Sequence, residues 1–422
     1  MNSNIIYNLN DKMPFKHIFL YGVQELLAIL VATLLITSIC GVPSGAGMIG
    51  AGLATLIYIL ITKGNSNVYV SNSGAYVAPC IFAFAAGGPI AAAIGAVVVG
   101  AIYILFGLIF DKFSIDAMYK FLPKPLVASI TILIGLSLIG FVPTYLEGSG
   151  IWGTIVALLV AGIIAIVMYY GKGKISTLPF LIAVSIGYVI CALLTLTGVA
   201  QLIDFSVFDG IKFIQVPSFN FMRFTSIDTA TIISVVIMYT AYSFSGVCEI
   251  IADHQAMSVV IDYDLFKHNG IKRIFYAMGG ANCISGLVSG IPVTSYGEGT
   301  GCTATSRVAN ARVTAMASIL LILMGFCGPI QALMMSIPSC VFAGASLVLY
   351  PMIAVAGFKM LIHNQINLDN SKNMILVAIP ISIGLGGLVI GGTTFALSGT
   401  ALALIAGIIL NLILKEKGDA NA

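Results

Sequence analysis

From Lys16 onward, apolar runs of about 20 residues follow one another with short polar breaks between them, and about 20 residues is the length of helix that crosses bilayer hydrocarbon. With 59% of the 422 residues hydrophobic, 8% charged and 45 glycines, the composition excludes a soluble globular domain. The expected fold is therefore an all-α polytopic membrane protein. The first run is too long, and wrongly flanked, for a cleaved signal peptide. A net charge of +3 carries no signature of nucleic-acid binding. The eight cysteines sit in or beside apolar segments without metal-ligand spacing and read as small packing residues.

The runs divide into fourteen segments, near 17–40, 44–62, 66–86, 88–110, 124–144, 151–170, 175–199, 229–257, 273–291, 294–310, 312–332, 337–362, 372–393 and 395–414. With both termini cytoplasmic, seventeen of the nineteen Lys and Arg residues fall on the inner side, Lys120, Lys174, Lys415 and Lys417 among them, and only Lys212 and Arg223 fall outside. That bias sets orientation, and the expected location is a cell inner or plasma membrane. The sizeable connection, 201–228, follows the seventh segment. Seven segments per half make the second half enter the membrane in the opposite sense, the inverted-repeat plan of many secondary transporters.

Two of these segments are too polar for an ordinary lipid-facing helix. The stretch from Ile291 to Val308 carries Pro292, Gly297, Gly299 and Gly301 around Glu298, and Val70-Ser71-Asn72-Ser73-Gly74 in the third segment echoes Val293-Thr294-Ser295-Tyr296-Gly297 in the tenth. Proline and glycine predict short extended stretches there, each followed by a half-helix. Paired interruptions at matching positions of two halves mark a midplane binding site. Four acids, Glu25, Glu249, Asp253 and Glu298, lie in or at the edge of segments, where a carboxylate exposed to lipid is costly. Glu249 and Asp253 are four residues apart and share a helix face, so they suit either a shared proton or a sodium ion. Glu298 also reads as a cap for its own half-helix, Glu25 as a partner for Gln24, and Asp253-His254 as an interfacial pair. Tyr76, Tyr296 and Tyr350 suit stacking on a flat ligand or ordinary packing.

These residues resemble the nucleobase-ascorbate transporter family, and the chain is similar to bacterial uracil permeases along nearly its whole length. The family's signature begins with Gln, Glu or Pro, then Asn, any residue and Gly, and after four more residues closes with Thr and a basic residue or Gly. Glu298, Gly301 and Arg307 match, Ser306 is a near match, and Gly299 departs. Tyr296-Gly297-Glu298 resembles the permeases' Tyr-Gly-Glu, Ala252-Asp253-His254 their Ala-Glu-His, and the segment ending at Tyr350 one that faces the site. Gly74 stands where they carry a Phe, Glu25 stands in a Gln-His pair, Met257 replaces a second His, and Glu249 is an added acid.

The resemblance implies a core domain (17–110 and 229–332) moving against a gate domain (124–199 and 337–414), with 201–228 as an extracellular loop. It implies cation-coupled uptake of a nucleobase such as uracil or xanthine by a homodimer, with no cofactor, and with H+ or Na+ as the coupling ion. Substrate contacts are expected from Glu298, Asp253, Gly297, Tyr296, Gly74, Ala75, Tyr76 and Tyr350, and ion coupling from Glu249, Glu25 and His254. A sulfate-type anion transporter of the same seven-plus-seven plan is the alternative, opposed by acids that an anion would meet as like charge. No metalloprotease or serine-hydrolase motif supports an enzyme.

Overall fold

A computed structural model describes residues 5–112, 123–172, 175, 178–391 and 396–414. Lys120, Lys174, Lys415 and Lys417 of the topology reading lie outside them. In the first half, α1 (Phe15–Ile39) and α2 (Ser44–Ile61) lead to a strand β1 (Val70–Asn72), one 3-10 turn at Gly74–Tyr76, and the long α3 (Val77–Lys112). The half closes with α4 (Lys124–Ile139), the short α5 (Val142–Leu146), α6 (Gly150–Tyr170) and α7 (Pro179–Leu196). The second half runs α8 (Thr229–Ile261), the short α9 (Leu265–Asn269), α10 (Ile271–Val288), β2 (Val293–Ser295), α11 (Gly297–Ser306), α12 (Ala311–Gly325) and the short α13 (Gly328–Met335). It ends with α14 (Ser339–His363), α15 (Ser371–Leu385), a strand pair β3 (Val389–Gly391) and β4 (Ala396–Ser398), and α16 (Gly399–Ile413).

Eight helices among the described residues are long and apolar enough to cross a membrane on their own. The fourteen-segment plan is recovered when the longest of them counts as two and α10, the β2–α11 unit, α12, α15 and α16 are added. Gly88, at φ 66° and ψ −155°, breaks α3 immediately before Pro89; glycine tolerates that conformation, and proline cannot continue the hydrogen bonding of the turn before it. Elsewhere proline marks where helices begin. Pro14, Pro43, Pro123 and Pro338 stand at the N-caps of α1, α2, α4 and α14 with φ between −53° and −63°, an angle already suited to a helix start. Asp228 caps α8 by accepting the Thr231 N–H at 2.8 Å, and the Thr231 hydroxyl and amide together hold its carboxyl below the usual carboxylate range.

Several expected boundaries move; the eighth segment runs on to Ile261 instead of 257, and the fifth breaks after Ile139. The thirteenth segment stops at Leu385 instead of 393, because Gly386 and Gly387 (φ 66°) end the helix and the chain turns into β3. The eleventh breaks after Gly325 into α12 and α13. There the 201–228 connection docks into the break: the Gln215 N–H donates to the Phe326 carbonyl at 2.9 Å, and the Gly328 N–H to that of Phe213 at 2.9 Å. The tenth ends at Ser306, where Arg307 takes the left-handed conformation at φ 59°. The 201–228 connection also reaches the kink in α3. Buried Asn220 donates from its side chain to the carbonyls of Pro89 at 2.7 Å and Gly286 at 3.1 Å.

The helices pack in two groups. α1, α2, α3, α8, α10, α11 and α12 lie mainly on one another, and so do α4, α6, α7, α14, α15 and α16; α1 meets α7 and α8 meets α16 across the seam. Within the first group β1 and β2 form an antiparallel pair with Val70 opposite Ser295, Ser71 opposite Thr294 and Asn72 opposite Val293. Asn282 of α10 clamps β2 from behind: its Oδ1 accepts the Val293 N–H and its Nδ2 donates to the Val293 carbonyl, both at 2.9 Å. Replacing Asn282 with Ala orphans both buried backbone groups, and each costs about 1–3 kcal/mol. The expected result is a melting temperature several degrees below wild type in detergent, read by differential scanning fluorimetry.

Candidate substrate site

A two-stranded crossing inside hydrocarbon has to satisfy every polar group locally. The β1–β2 crossing satisfies its backbone with side chains from its surroundings, and Asn72 Oδ1 is left buried without a partner. The Tyr296 N–H donates to the Tyr69 carbonyl and the Ser73 N–H to the Pro292 carbonyl, both at 2.9 Å, extending the pair at each end. The Tyr296 hydroxyl donates to the Asn72 carbonyl at 2.6 Å. From α1, the Thr33 hydroxyl meets the Ser71 hydroxyl at 2.8 Å, and Thr37 Oγ1 accepts from Asn72 Nδ2 at 2.8 Å. The Thr55 hydroxyl of α2 donates to the Val70 carbonyl. The polarity of the third segment is therefore largely structural: Ser71 and Asn72 are the partners that α1 requires.

Two half-helices start from this crossing. Ser73 and Tyr296 are their N-caps, both extended and neither bonding the first turn through its side chain. Uncapped N–H groups and the positive ends of both helix dipoles thus converge at one place in the core. The hydroxyls of Ser73 and Thr300, at those two helix starts, are buried and without a partner. The face of α11 carrying Gly297 and Gly301 is open, since a Cβ built at either would meet nothing within 4 Å.

The four acids separate into three and one. Glu298 stands in the first turn of α11, half-buried. Glu249 and Asp253 come from α8, also half-buried, and the three are close enough for their charges to act on one another. Asp253 Oδ2 accepts from the Ser295 hydroxyl of β2 at 2.6 Å, and Glu249 faces Thr294. Glu25 is elsewhere: it is 4% exposed and accepts from the Thr314 hydroxyl of α12 at 3.2 Å. Among the described residues no Lys, Arg or His side chain pairs with any of the four.

Of the other expected contacts, Gly74 and buried Ala75 lie at the start of the first half-helix. Gly74 faces the second group of helices, where a Cβ would sit 3.5 Å from Ile353 of α14. Tyr350, on the same helix, is buried with its hydroxyl unpartnered. Tyr76 is turned into the packing, its ring stacked on Tyr239 (centroids 6.2 Å apart) and its hydroxyl 2.8 Å from that of Tyr103. Tyr296 is committed to the Asn72 carbonyl. His254 is fully buried with both ring nitrogens engaged: Nδ1–H donates to the Ile250 carbonyl at 2.7 Å, and Nε2 lies 2.7 Å from the Tyr58 hydroxyl, which also meets Ser66. Met257 is buried beside it on α8. Thr33, Thr37 and Asn282 hold the site together and had no signal in the sequence beyond being polar within apolar runs.

The departure at Gly299 has a local cause. A Cβ there would press on the Tyr69 Cβ at 3.1 Å and come within 3.9 Å of Glu25 Oε1. The space that an Asn side chain would need is already taken by Tyr69 and Glu25.

Comparison with known proteins decides the family. A family model described as the Permease family matches residues 16–391. The chain belongs to that family. It is 31% identical to the uracil permease of Bacillus caldolyticus over 100% of this chain and 97% of that protein. It is 32% identical to the uracil permease of Bacillus subtilis over 97% and 95%, and 26% identical to that of Escherichia coli K12 over 96% and 93%. Among solved structures, the transmembrane domain of the cyanobacterial bicarbonate transporter BicA superposes with a TM-score of 0.64 at 16% identity, covering 96% of this chain and 100% of that one. The murine anion transporter Slc26a9 gives 0.67 at 11%, covering 96% and 69%. Those two share the seven-plus-seven inverted-repeat fold with this permease, a transporter and not an enzyme.

The hydrogen bonding separates two serines of the site by their role in stability. Ser73→Ala removes a hydroxyl that has no partner, so its melting temperature should stay within about a degree of wild type. Ser295→Ala strips Asp253 of its donor and should lower the melting temperature by a few degrees in the same assay.

Proposed function

We propose that this permease takes up a nucleobase, of which uracil and xanthine are the leading candidates, by cation-coupled movement of one helix group against the other. The observation that carries the reading is the convergence of Glu298, Asp253 and Glu249 on the crossing from which two uncapped half-helices start. A nucleobase ring presents N–H donors, which carboxylates accept strongly, and carbonyl oxygens, which the helix N–H groups bind. Glu298 and Asp253 are the proposed direct ligands, with Gly297, Gly74, Ala75, Ser73 and Thr300 lining the ring. Tyr350 approaches from the opposite group. Tyr76, Tyr296 and His254 act in support, since their polar groups are engaged in the packing.

A proton is the proposed coupling ion at this cluster. Three carboxylates within reach of one another do not all ionise cheaply in a poorly hydrated site, so Glu249 suits a proton that exchanges as the helix groups move. The Lys and Arg distribution supports cytoplasmic termini in a cell inner or plasma membrane, and a homodimer is the proposed assembly. An anion substrate has the positive helix ends in its favour, and the solved neighbours include anion transporters; the three acids count against it.

Uptake of radiolabelled uracil and xanthine into proteoliposomes tests the reading. Glu298→Gln should reduce initial uptake by at least about tenfold, the loss of one charged hydrogen bond, while keeping the wild-type melting temperature. An inward proton gradient should stimulate uptake, and a protonophore should abolish the stimulation. Uptake of bicarbonate or sulfate with none of either base would replace this assignment with the anion reading.

A further inference from the structure

Glu25 lies on the opposite side of α11 from the substrate cluster, within a set of oxygen atoms that the nucleobase reading does not use. The Thr314 hydroxyl, 3.2 Å from Glu25 Oε1, is also 3.2 Å from the Asn67 carbonyl. Asn67 Nδ2 donates to Thr303 Oγ1 at 3.1 Å, which leaves Asn67 Oδ1 buried and without a partner. The Tyr69 hydroxyl is likewise buried and without a partner, and Tyr69 and Glu25 both lie against Gly299 of α11. Exposure is 4% for Glu25, 2% for Asn67 and 0% for Tyr69.

We infer that Glu25, Thr314, Asn67 and Tyr69 form a binding site for a sodium-sized monovalent cation, separate from the substrate cluster. Hard cations take oxygen ligands, and every side-chain group named here can present one. One carboxylate balances one positive charge, which suits a monovalent ion over a divalent one. A proton on Glu25 would neutralise the charge but leave Asn67 Oδ1 and the Tyr69 hydroxyl oxygen unsatisfied, whereas a bound cation engages both. Orphaned buried oxygens carry a real cost, and their presence on residues that adjoin a carboxylate without a cationic partner among the described residues is what separates the two ions.

The site bears on α11 directly. Thr303 is tied to Asn67, and Gly299, four residues earlier on the same helix face, lies against Tyr69 and Glu25. Glu298 projects from the same half-helix toward α8. Cation binding therefore loads one face of the helix whose other face holds the substrate ligand.

Equilibrium binding of 22Na+ to the purified full-length protein in detergent, with choline as the replacement cation and no nucleobase present, tests the site. Wild type should bind saturably. Glu25→Gln should abolish the binding, and Asn67→Ala should weaken it about tenfold, as expected for one lost ligand to a charge. Glu298→Gln should leave it unchanged. Thr314→Val, which keeps the side-chain shape, should also weaken binding and serves if Glu25→Gln does not fold. Absence of saturable sodium binding to wild type between pH 5 and 9, or binding retained in both Glu25→Gln and Thr314→Val, overturns the proposal. Because the readout contains no nucleobase, a failure here is distinct from a failure of the uptake assignment.

Discussion

Everything in this molecule depends on a short antiparallel pairing placed where no water can complete it. β1 and β2 contribute three residues each, too few to be stable by themselves, and an open strand pair in hydrocarbon is untenable unless protein encloses it. The enclosure is specific. Thr33 and Thr37 come from α1, Thr55 from α2 and Asn282 from α10, and each hydrogen-bonds a polar group of the strands. With the crossing fixed, the two half-helices are fixed too, and their N-terminal N–H groups point at a common place. The site is thus a by-product of how the crossing is stabilised.

The half-helix α11 is the element on which charge is concentrated. It carries Glu298 toward Glu249 and Asp253 of α8, while Gly299 and Thr303 lie against Tyr69 and Asn67 on the side of Glu25. It is only ten residues long, too short to be stable by propensity alone, so its position is set by what touches those two sides. The glycine at 299 and the acid at 25 belong together physically: a larger residue at 299 would need the volume that Tyr69 and the Glu25 carboxylate occupy.

The division into two helix groups gives the site its other wall. Gly74 and Tyr350 approach each other's territory across the seam, the first from the strand crossing and the second from α14. The 201–228 connection spans this arrangement as a brace: Asn220 holds the kink of α3 to the end of α10, and Phe213 to Gln215 pair with the break between α12 and α13. A segment that reads as a loop by hydropathy is a structural tie, because its backbone supplies partners for helix ends that lack them.

Hydropathy and glycine placement alone determined the membrane fold, its fourteen segments, the two interrupted helices and the four acids worth attention. These are local signals, set by the bilayer's thickness and by what proline and glycine allow. Only the tertiary structure decided which acids meet. Glu249 and Asp253 share a helix face, which spacing could show, but their meeting with Glu298 and their separation from Glu25 depend on how α1, α8, α11 and α12 pack. The same holds for the tyrosines and for His254. Tyr76, Tyr296 and His254 have the chemistry of ligand contacts, yet neighbouring helices supply Tyr103, the Asn72 carbonyl and Tyr58 as partners. A side chain's role in a membrane interior is set by the hydrogen bonds that remain open to it, and which remain open is known only when every neighbour is in place.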